Sequence, residues 1–159
     1  MIEIITKNPS QTKKAAKELA FSIKETRGRK TALVLALEGD LGSGKTTFIQ
    51  GLAKGLVIRD KILSPTFVVF KKFQIPITKS QINSKSQLSK FKTFYHLDCY
   101  RIGAKDLLGL GLKDILIEPR NLVVIEWAEK IKKILPKNTL WIKFKHLDEK
   151  SRKINFCLN

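Results

Sequence analysis

The chain has 159 residues, 43% of them hydrophobic, which predicts a single domain spanning residues 1–159 around one core. Its 31 lysines and arginines exceed its 14 acids and give a formal net charge of +17, so the charge indicates either a polyanionic partner or a generally lysine-rich composition. Because no apolar run reaches the roughly 18 residues of a transmembrane helix, the sequence argues against a membrane protein.

The cysteines and the first residues bear on the cellular compartment. Cys99 and Cys157 lack CxxC spacing, and with only two histidines a zinc cluster is not expected. Residues 1–7 include the early acid Glu3 and no long apolar stretch, unlike a secretory signal peptide. We therefore expect free thiols in a reducing, cytoplasmic compartment.

The first part of the chain predicts a strand, a helix and a second, buried strand. Residues 1–5 alternate weakly between apolar and polar side chains. After a helix start at residues 9–12, apolar residues recur at helical spacing through about Glu25. Gly28 ends this helix, and the uncharged run 31–37 is typical of a buried parallel strand.

A phosphate-binding motif follows that strand directly. Gly39-x-x-x-x-Gly44-Lys45-Thr46 matches the pattern GxxxxGK[ST], and the apolar residues after it recur at helical spacing as far as Leu56. Glycine permits the positive φ angles that turn backbone N–H groups toward a phosphate, and the helix N-terminus adds its partial positive charge. We expect Lys45 at the β- and γ-phosphates and Thr46 at Mg²⁺.

The middle of the chain predicts an extended loop and a hairpin. Pro65 disfavours helical angles at Ser64, and a strand is expected to begin over residues 67–70. Residues 76–90 are rich in lysine and serine and lose the apolar pattern, so we interpret them as a mobile basic excursion between two strands. Residues 91–98 alternate apolar and polar side chains, which predicts the returning strand.

The remainder predicts alternating helices and strands. In order, these are a helix at 106–116, a buried strand at 121–125, a short helix at 129–135 and an antiparallel pair at 139–145 and 153–158. Gly109 and Gly111 weaken the first helix. Pro136 stops the second helix.

Two acids at predicted strand ends extend the nucleotide site. Glu126 follows the buried strand 121–125, where a phosphate-loop protein needs an acid that shares Mg²⁺ with Thr46. Asp98 ends the strand 91–98 and is a candidate to orient or deprotonate an attacking water. From spacing alone, an aspartate there equally suits a turn or a cap.

Four segments together resemble the TsaE (YjeE) family, the small bacterial ATPases of threonylcarbamoyladenosine formation in tRNA. They are residues 39–47, Ser64-Pro65-Thr66-Phe67, His96-Leu97-Asp98-Cys99-Tyr100-Arg101 and Ile125-Glu126-Trp127. The resemblance covers the chain from the helix at Thr12 to Trp127 and, more loosely, the carboxyl-terminal strands. The phosphate loop is generic by itself, but four motifs in this order are specific.

The resemblance implies a fold and a set of site residues. The fold is α/β and P-loop NTPase-like, with three layers and a mixed, mainly parallel central sheet. The activity is hydrolysis of ATP to ADP and phosphate, slow without partners, with Mg²⁺ held by Thr46 and Glu126. Catalytic roles are implied for Asp98, Lys45, Ser64 and Thr66. Nucleotide contacts are implied for Thr12, Leu41, Gly42, Ser43, Gly44, Lys45, Thr46, Thr47, Trp127 and Glu129, with Arg152 a further candidate at the base edge.

The resemblance also implies partners. TsaE-like proteins bind a complex of the TsaB and TsaD proteins, and ATP turnover is thought to reset that complex between cycles. Contact with tRNA would be indirect, through the complex, or would involve the basic excursion. Three other interpretations stay open: a small-molecule or nucleoside kinase, a nucleotide-gated assembly factor without significant turnover, and a basic RNA-binding protein. The absence of an NKxD motif favours ATP over GTP.

Overall fold

A mixed sheet forms the middle layer of the fold. The computed structural model describes residues 2–24, 28–64, 69–76 and 91–158. The strands in these ranges are β1 (Ile2–Thr6), β2 (Leu33–Glu38), β3 (Phe70–Gln74), β4 (Thr93–Asp98), β5 (Asn121–Glu126), β6 (Leu140–His146) and β7 (Arg152–Leu158). They join in the order β1-β7-β6-β2-β5-β4-β3.

The direction of the strands divides the sheet into a parallel centre and antiparallel edges. The neighbours β6, β2, β5 and β4 are parallel. On one side β7 and β1 continue the sheet with antiparallel pairing, and on the other side β3 does so. The carboxyl ends of the four central strands therefore meet at one edge of the sheet, and their amino ends meet at the opposite edge.

Helices cover both faces of this sheet. The helical elements are α1 (Pro9–Lys24), α2 (Lys45–Gly55), α3 (Ala104–Gly109), α4 (Leu112–Ile117) and a 3₁₀ segment (Ala128–Ile134). One apolar core joins α1 and α2 to the sheet, and a second joins α3, α4 and the 3₁₀ segment to the opposite face. The predicted three-layer α/β fold with a mainly parallel sheet is confirmed.

The alternation of side chains along β5 assigns its residues to the two cores. All six residues of this strand are buried, as expected of a parallel strand covered on both faces. Leu122 and Val124 pack in the core with α2, whereas Val123 and Ile125 pack in the core with α4. The same period of two directs Glu126 toward the α2 side of the sheet.

Local chemistry fixes the start of α1 and its packing. The backbone N–H of Gln11 donates to the Asn8 side-chain carbonyl at 2.9 Å, and Pro9 occupies the first helical position. Further along, α1 lies so close to α2 that a Cβ added at Gly51 would stand 2.4 Å from the carbonyl oxygen of Lys13. A residue without a side chain is therefore required at this crossing.

Some predicted boundaries differ from the structure. The strand expected over residues 67–70 begins at Phe70, because Val69 has a φ of 68° and cannot be extended; residues 65–68 lie outside the described ranges. The helix expected at 106–116 is two helices, because Gly111 with a φ of 82° interrupts it. The part of the predicted excursion at 77–90 also lies outside the described ranges.

Two further findings bear on the sequence predictions. Both cysteines are free thiols, Cys99 buried and Cys157 half-buried. Across the described residues, every helix is too short or too polar to cross a membrane.

The contact at Gly51 predicts a stability effect. Gly51→Ala should lower the free energy of unfolding by about 1–3 kcal/mol, because the added methyl group meets rigid backbone. Urea denaturation followed by circular dichroism measures the change. Gly109→Ala is the matched control: its added Cβ meets nothing within 4 Å, so a gain of up to about 1 kcal/mol is expected. A Gly51→Ala variant as stable as the wild type would contradict this account of the helix crossing.

Candidate active site

The phosphate loop lies at the carboxyl edge of the sheet, between β2 and α2. Gly39 follows β2 with a φ of 146°, and a Cβ there would lie 2.6 Å from the carbonyl oxygen of Phe144 on β6. Gly44 has a φ of 100° and directly precedes α2. The loop thus requires glycine at its start for space and at its end for conformation.

Lys45 is folded back onto the loop that carries it. Its ammonium donates to the carbonyl oxygens of Gly39 at 2.6 Å and Asp40 at 2.8 Å, and lies 4.0 Å from the centre of the Trp127 ring. Burial lowers the pKa of Lys45, and nearby carboxylates, first among them that of Glu126, oppose this shift. The cation therefore sits beside a concentration of negative charge.

Glu126 accepts hydrogen bonds from two other elements of the site. The residue is 3% exposed. The Thr46 hydroxyl donates to both carboxylate oxygens, at 3.1 and 3.0 Å, and His96 Nε2 lies 2.8 Å from Oε1. Since an ionised carboxylate only accepts hydrogen bonds, Nε2 is the donor in this contact. The arrangement ties α2 and β4 to the end of β5.

His96 belongs to the site, although the sequence motif that contains it indicated no role for it. It is fully buried, and its Nδ1 has no hydrogen-bond partner among the described residues. The spacing in the sequence could have indicated its role, because His96 and Asp98 are two residues apart on β4 and so face the same side of the sheet. In the register of the parallel pair, Asp98 lies opposite Glu126.

Asp98 accepts hydrogen bonds from Ser64 and Tyr100. The Ser64 hydroxyl donates to Oδ2 at 2.5 Å, and the Tyr100 backbone N–H donates to Oδ1 at 2.8 Å. The carboxylate is 5% exposed and lies at the carboxyl end of β4. These contacts fix its orientation toward the phosphate loop. Thr66, the other residue predicted to act from the loop at 64–67, lies outside the described ranges.

Two adjoining cavities surround the loop. The first, about 320 Å³, is lined by Leu41, Gly42, Ser43, Gly44, Lys45, Thr46, Thr47, Ser64, Asp98, Tyr100, Glu126 and Trp127. The second, about 470 Å³, is lined by Lys7, Asn8, Pro9, Thr12, Gly42, Gly44, Thr47, Glu149, Lys150 and Arg152. Gly42, Gly44 and Thr47 line both cavities, so the two cavities meet at the phosphate loop and are together called the groove.

The groove brings most of the predicted nucleotide contacts together. Thr12 lines the second cavity, and its hydroxyl lies 2.9 Å from that of Thr6. Arg152 lines it too, with its guanidinium bonded to the carbonyls of Asp148 and Glu149. Glu129 is not among the described residues lining either cavity. The adjacent residues Lys7 and Asn8 were not predicted, because only the tertiary fold brings the start of α1 beside the loop.

The donor set suits a magnesium ion. Mg²⁺ prefers oxygen ligands, and the Thr46 hydroxyl and Glu126 carboxylate supply them side by side on the loop. The phosphates of a nucleotide bound at the loop would add further oxygens. The residues present therefore fit the ion that the sequence predicted there.

Comparisons with known proteins identify the family of this chain. The family described as "Threonylcarbamoyl adenosine biosynthesis protein TsaE" matches residues 6–154. The chain belongs to the TsaE family. The Bacillus subtilis protein named "tRNA threonylcarbamoyladenosine biosynthesis protein TsaE" is 36% identical over 152 residues, covering 95% of this chain and 82% of that protein. A Rickettsia felis protein of the same name is 32% identical over 158 residues, covering 98% and 80%.

A solved structure supports the same assignment. The crystal structure of YdiB from Bacillus subtilis aligns with a TM-score of 0.65 and 30% sequence identity. The alignment covers 99% of this chain and 86% of that chain. This chain has the P-loop NTPase-like fold of the family. The family belongs to tRNA threonylcarbamoyladenosine biosynthesis.

Replacing Glu129 by glutamine is predicted to raise the stability of the protein in a pH-dependent way. Glu129 is an exposed residue, but partial desolvation of its carboxyl group raises its pKa, and Glu38 adds to the shift. An acid with a raised pKa in the folded state lowers the free energy of unfolding once it ionises. This loss vanishes at a pH where the acid is protonated in both the folded and the unfolded protein. Glu129→Gln should therefore raise Tm by about 1–2 °C at pH 7.5 and leave it unchanged near pH 4.

Differential scanning calorimetry at the two pH values checks this. Glu18→Gln, on an exposed position of α1, is the control and should show no such dependence on pH. A gain in the Glu129→Gln variant that is the same at both pH values would show that burial of the charge is not its cause.

Proposed function

We propose that this chain hydrolyses ATP to ADP and phosphate with Mg²⁺, and that this reaction serves threonylcarbamoyl modification of tRNA adenosine. The observation that supports this is one cavity of about 320 Å³ lined by the loop cation Lys45, the pair Thr46 and Glu126, and Asp98. A phosphate-binding cradle, a metal-ligating pair and a carboxylate for water are the parts that phosphoryl transfer to water requires. The names of the relatives supply the pathway.

Binding of the phosphates falls to the loop and to Lys45. The start of α2 directs backbone N–H groups and the positive end of its dipole at the loop. Lys45 exchanges its bonds to the Gly39 and Asp40 carbonyls for bonds to phosphate oxygens. Its contact with Trp127 makes that ring a neighbour of the bound phosphates. These groups position ATP before any bond breaks.

Thr46 and Glu126 hold the Mg²⁺ ion in this proposal. When bound, the ion neutralises negative charge on the phosphate oxygens. His96 keeps the Glu126 carboxylate in place through its bond to Oε1, and so positions a ligand without being one. Burial of both residues excludes water from that contact.

Asp98 orients the attacking water and accepts its proton. The Ser64 hydroxyl and the Tyr100 amide bond to the two carboxylate oxygens and so fix the orientation of the carboxylate. Ser64 therefore couples the loop at residues 64–67 to the catalytic acid. Thr66 of that loop is proposed to contact the γ-phosphate.

The larger cavity is the proposed site for the ribose and base. Thr12 and Arg152 line it beside the phosphate loop. Glu129 contributes charge near Lys45, which it helps to keep protonated. The partners are the TsaB and TsaD proteins, whose complex the ATP cycle resets, and the reaction is slow without them.

Phosphate release tests the proposal. The protein is assayed alone and with the TsaB–TsaD complex, and turnover should rise with the complex. Asp98→Asn should lower kcat by about 10²-fold or more while ATP affinity stays within about threefold of wild type. Asp60→Asn, an exposed aspartate absent from the lining of both cavities, is the matched control and should retain full activity.

Three results would contradict the proposal in different ways. Wild-type turnover by the Asp98→Asn variant would remove the catalytic role of Asp98. ATP binding without turnover, alone or with partners, would favour the nucleotide-gated assembly factor. Transfer of the phosphoryl group to an added nucleoside rather than to water would favour the kinase.

A further inference from the structure

Cations precede the amino ends of the four parallel strands of the sheet. The carboxyl edge, which holds the phosphate loop, carries a group of acids: Glu38, Asp40, Asp98, Glu126 and Glu129. The amino ends of the parallel strands are preceded instead by cations: Arg29 and Lys30 before β2, Lys92 before β4, Arg120 before β5 and Lys137 before β6. The amino edge of the parallel strands therefore carries a set of cations of its own.

Contacts join one half of this basic edge. The Lys92 N–H donates to the Arg120 carbonyl at 2.8 Å, and the Arg29 guanidinium stacks 4.1 Å from the centre of the Phe91 ring, next to Lys92. Lys72, Lys92 and Arg120 line a cavity of about 340 Å³. The acids Asp114 and Glu118 also line it, and Glu118 lies 2.9 Å from Arg120.

The other half of this basic edge lies at the amino end of β6. A cavity of about 460 Å³ is lined by Lys132, Lys133, Leu135, Pro136, Lys137 and Trp141, with no acid among its described lining residues. The Trp141 indole is 3% exposed, and its buried N–H has no hydrogen-bond partner in the described parts of the chain. This half therefore presents cations and an unsatisfied donor, both of which suit an anion.

We propose that this edge binds the phosphodiester backbone of RNA. The amino-edge basic surface is defined here by Arg29, Lys72, Lys92, Arg120, Lys133 and Lys137. All are exposed except Arg29, which is half-buried. The two halves belong to strands three positions apart, β4 and β6, and so are separated by about 14 Å at the usual spacing of strands. A row of cations over that distance matches successive phosphates of a nucleic acid rather than a single small anion.

The aromatic residues of the surface indicate contact with the backbone rather than with bases. Recognition of single-stranded bases needs exposed rings for stacking. Tyr95 is half-buried with Lys72 lying 5.9 Å from its ring, and Trp141 is buried. Binding is therefore independent of sequence and steeply dependent on salt. Because this surface lies at the edge opposite the phosphate loop, RNA and nucleotide can be bound together.

Fluorescence anisotropy with a labelled, unmodified tRNA transcript tests this, over a series of KCl concentrations and without nucleotide. The test variant carries Lys72→Gln, Lys92→Gln, Lys133→Gln and Lys137→Gln. The control carries Lys14→Gln, Lys17→Gln, Lys105→Gln and Lys145→Gln, exposed lysines that line neither cavity of this surface. Both remove the same charge, so they separate local contacts from net charge.

The test variant should bind tRNA at least about tenfold more weakly at low salt, and the slope of log affinity against log salt should fall by about 3. The control should stay within about threefold of wild type. Equal losses in the two variants, or no measurable binding by the wild type, would overturn the proposal.

Two further measurements keep these results interpretable. Both variants should retain the wild-type Tm, which shows that weaker binding is not loss of folding. Displacement of the tRNA by polyglutamate at equal charge would assign the surface to an acidic protein and overturn the RNA assignment. Since no nucleotide is present, the result does not depend on the ATPase proposal.

Discussion

The buried carboxylate of Glu126 is the constraint on which the site depends. A carboxylate that is 3% exposed costs free energy unless donors satisfy it, and here the Thr46 hydroxyl and the His96 ring do so. These two donors come from α2 and β4, so the carboxylate connects three elements at one point. A protein that lost either donor would leave a buried charge with fewer hydrogen bonds, which explains why an ordinary-looking histidine on a core strand belongs to the site.

The order of the strands makes this meeting possible. Because β2, β5 and β4 are adjacent and parallel, the phosphate loop, Glu126 and Asp98 all emerge at the same edge of the sheet. The pairing of β6 with β2 places Phe144 against Gly39 and closes the other side of the loop. The same parallel arrangement sends the amino ends of the strands to the opposite edge, where cations accumulate. The parallel arrangement thus separates the candidate nucleotide site from the proposed RNA-binding surface.

Sequence reasoning succeeded where the determinants are local. The loop at 39–46 is a contiguous motif, and the apolar runs before it and before Glu126 predict buried parallel strands, which the structure confirms. It failed where distant segments decide. Nothing in the sequence near Val69 indicated its positive φ, because of which β3 begins only at Phe70. The hydrogen bond between His96 and Glu126 joins residues that are 30 positions apart in the sequence. The amino-edge basic surface collects residues from 29 to 137, so its existence depends on the register of the whole sheet.

The dependence of nucleotide affinity on Mg²⁺ tests the central claim about Glu126 most directly. Calorimetric titration with a non-hydrolysable ATP analogue, with Mg²⁺ and with EDTA, compares the wild type with Glu126→Gln. The account predicts that Mg²⁺ tightens binding to the wild type by about tenfold or more, and that Glu126→Gln loses this gain while its affinity in EDTA stays within about threefold. If Mg²⁺ still tightens binding to the Glu126→Gln variant to the wild-type extent, the carboxylate does not hold the ion and the account of the site is wrong.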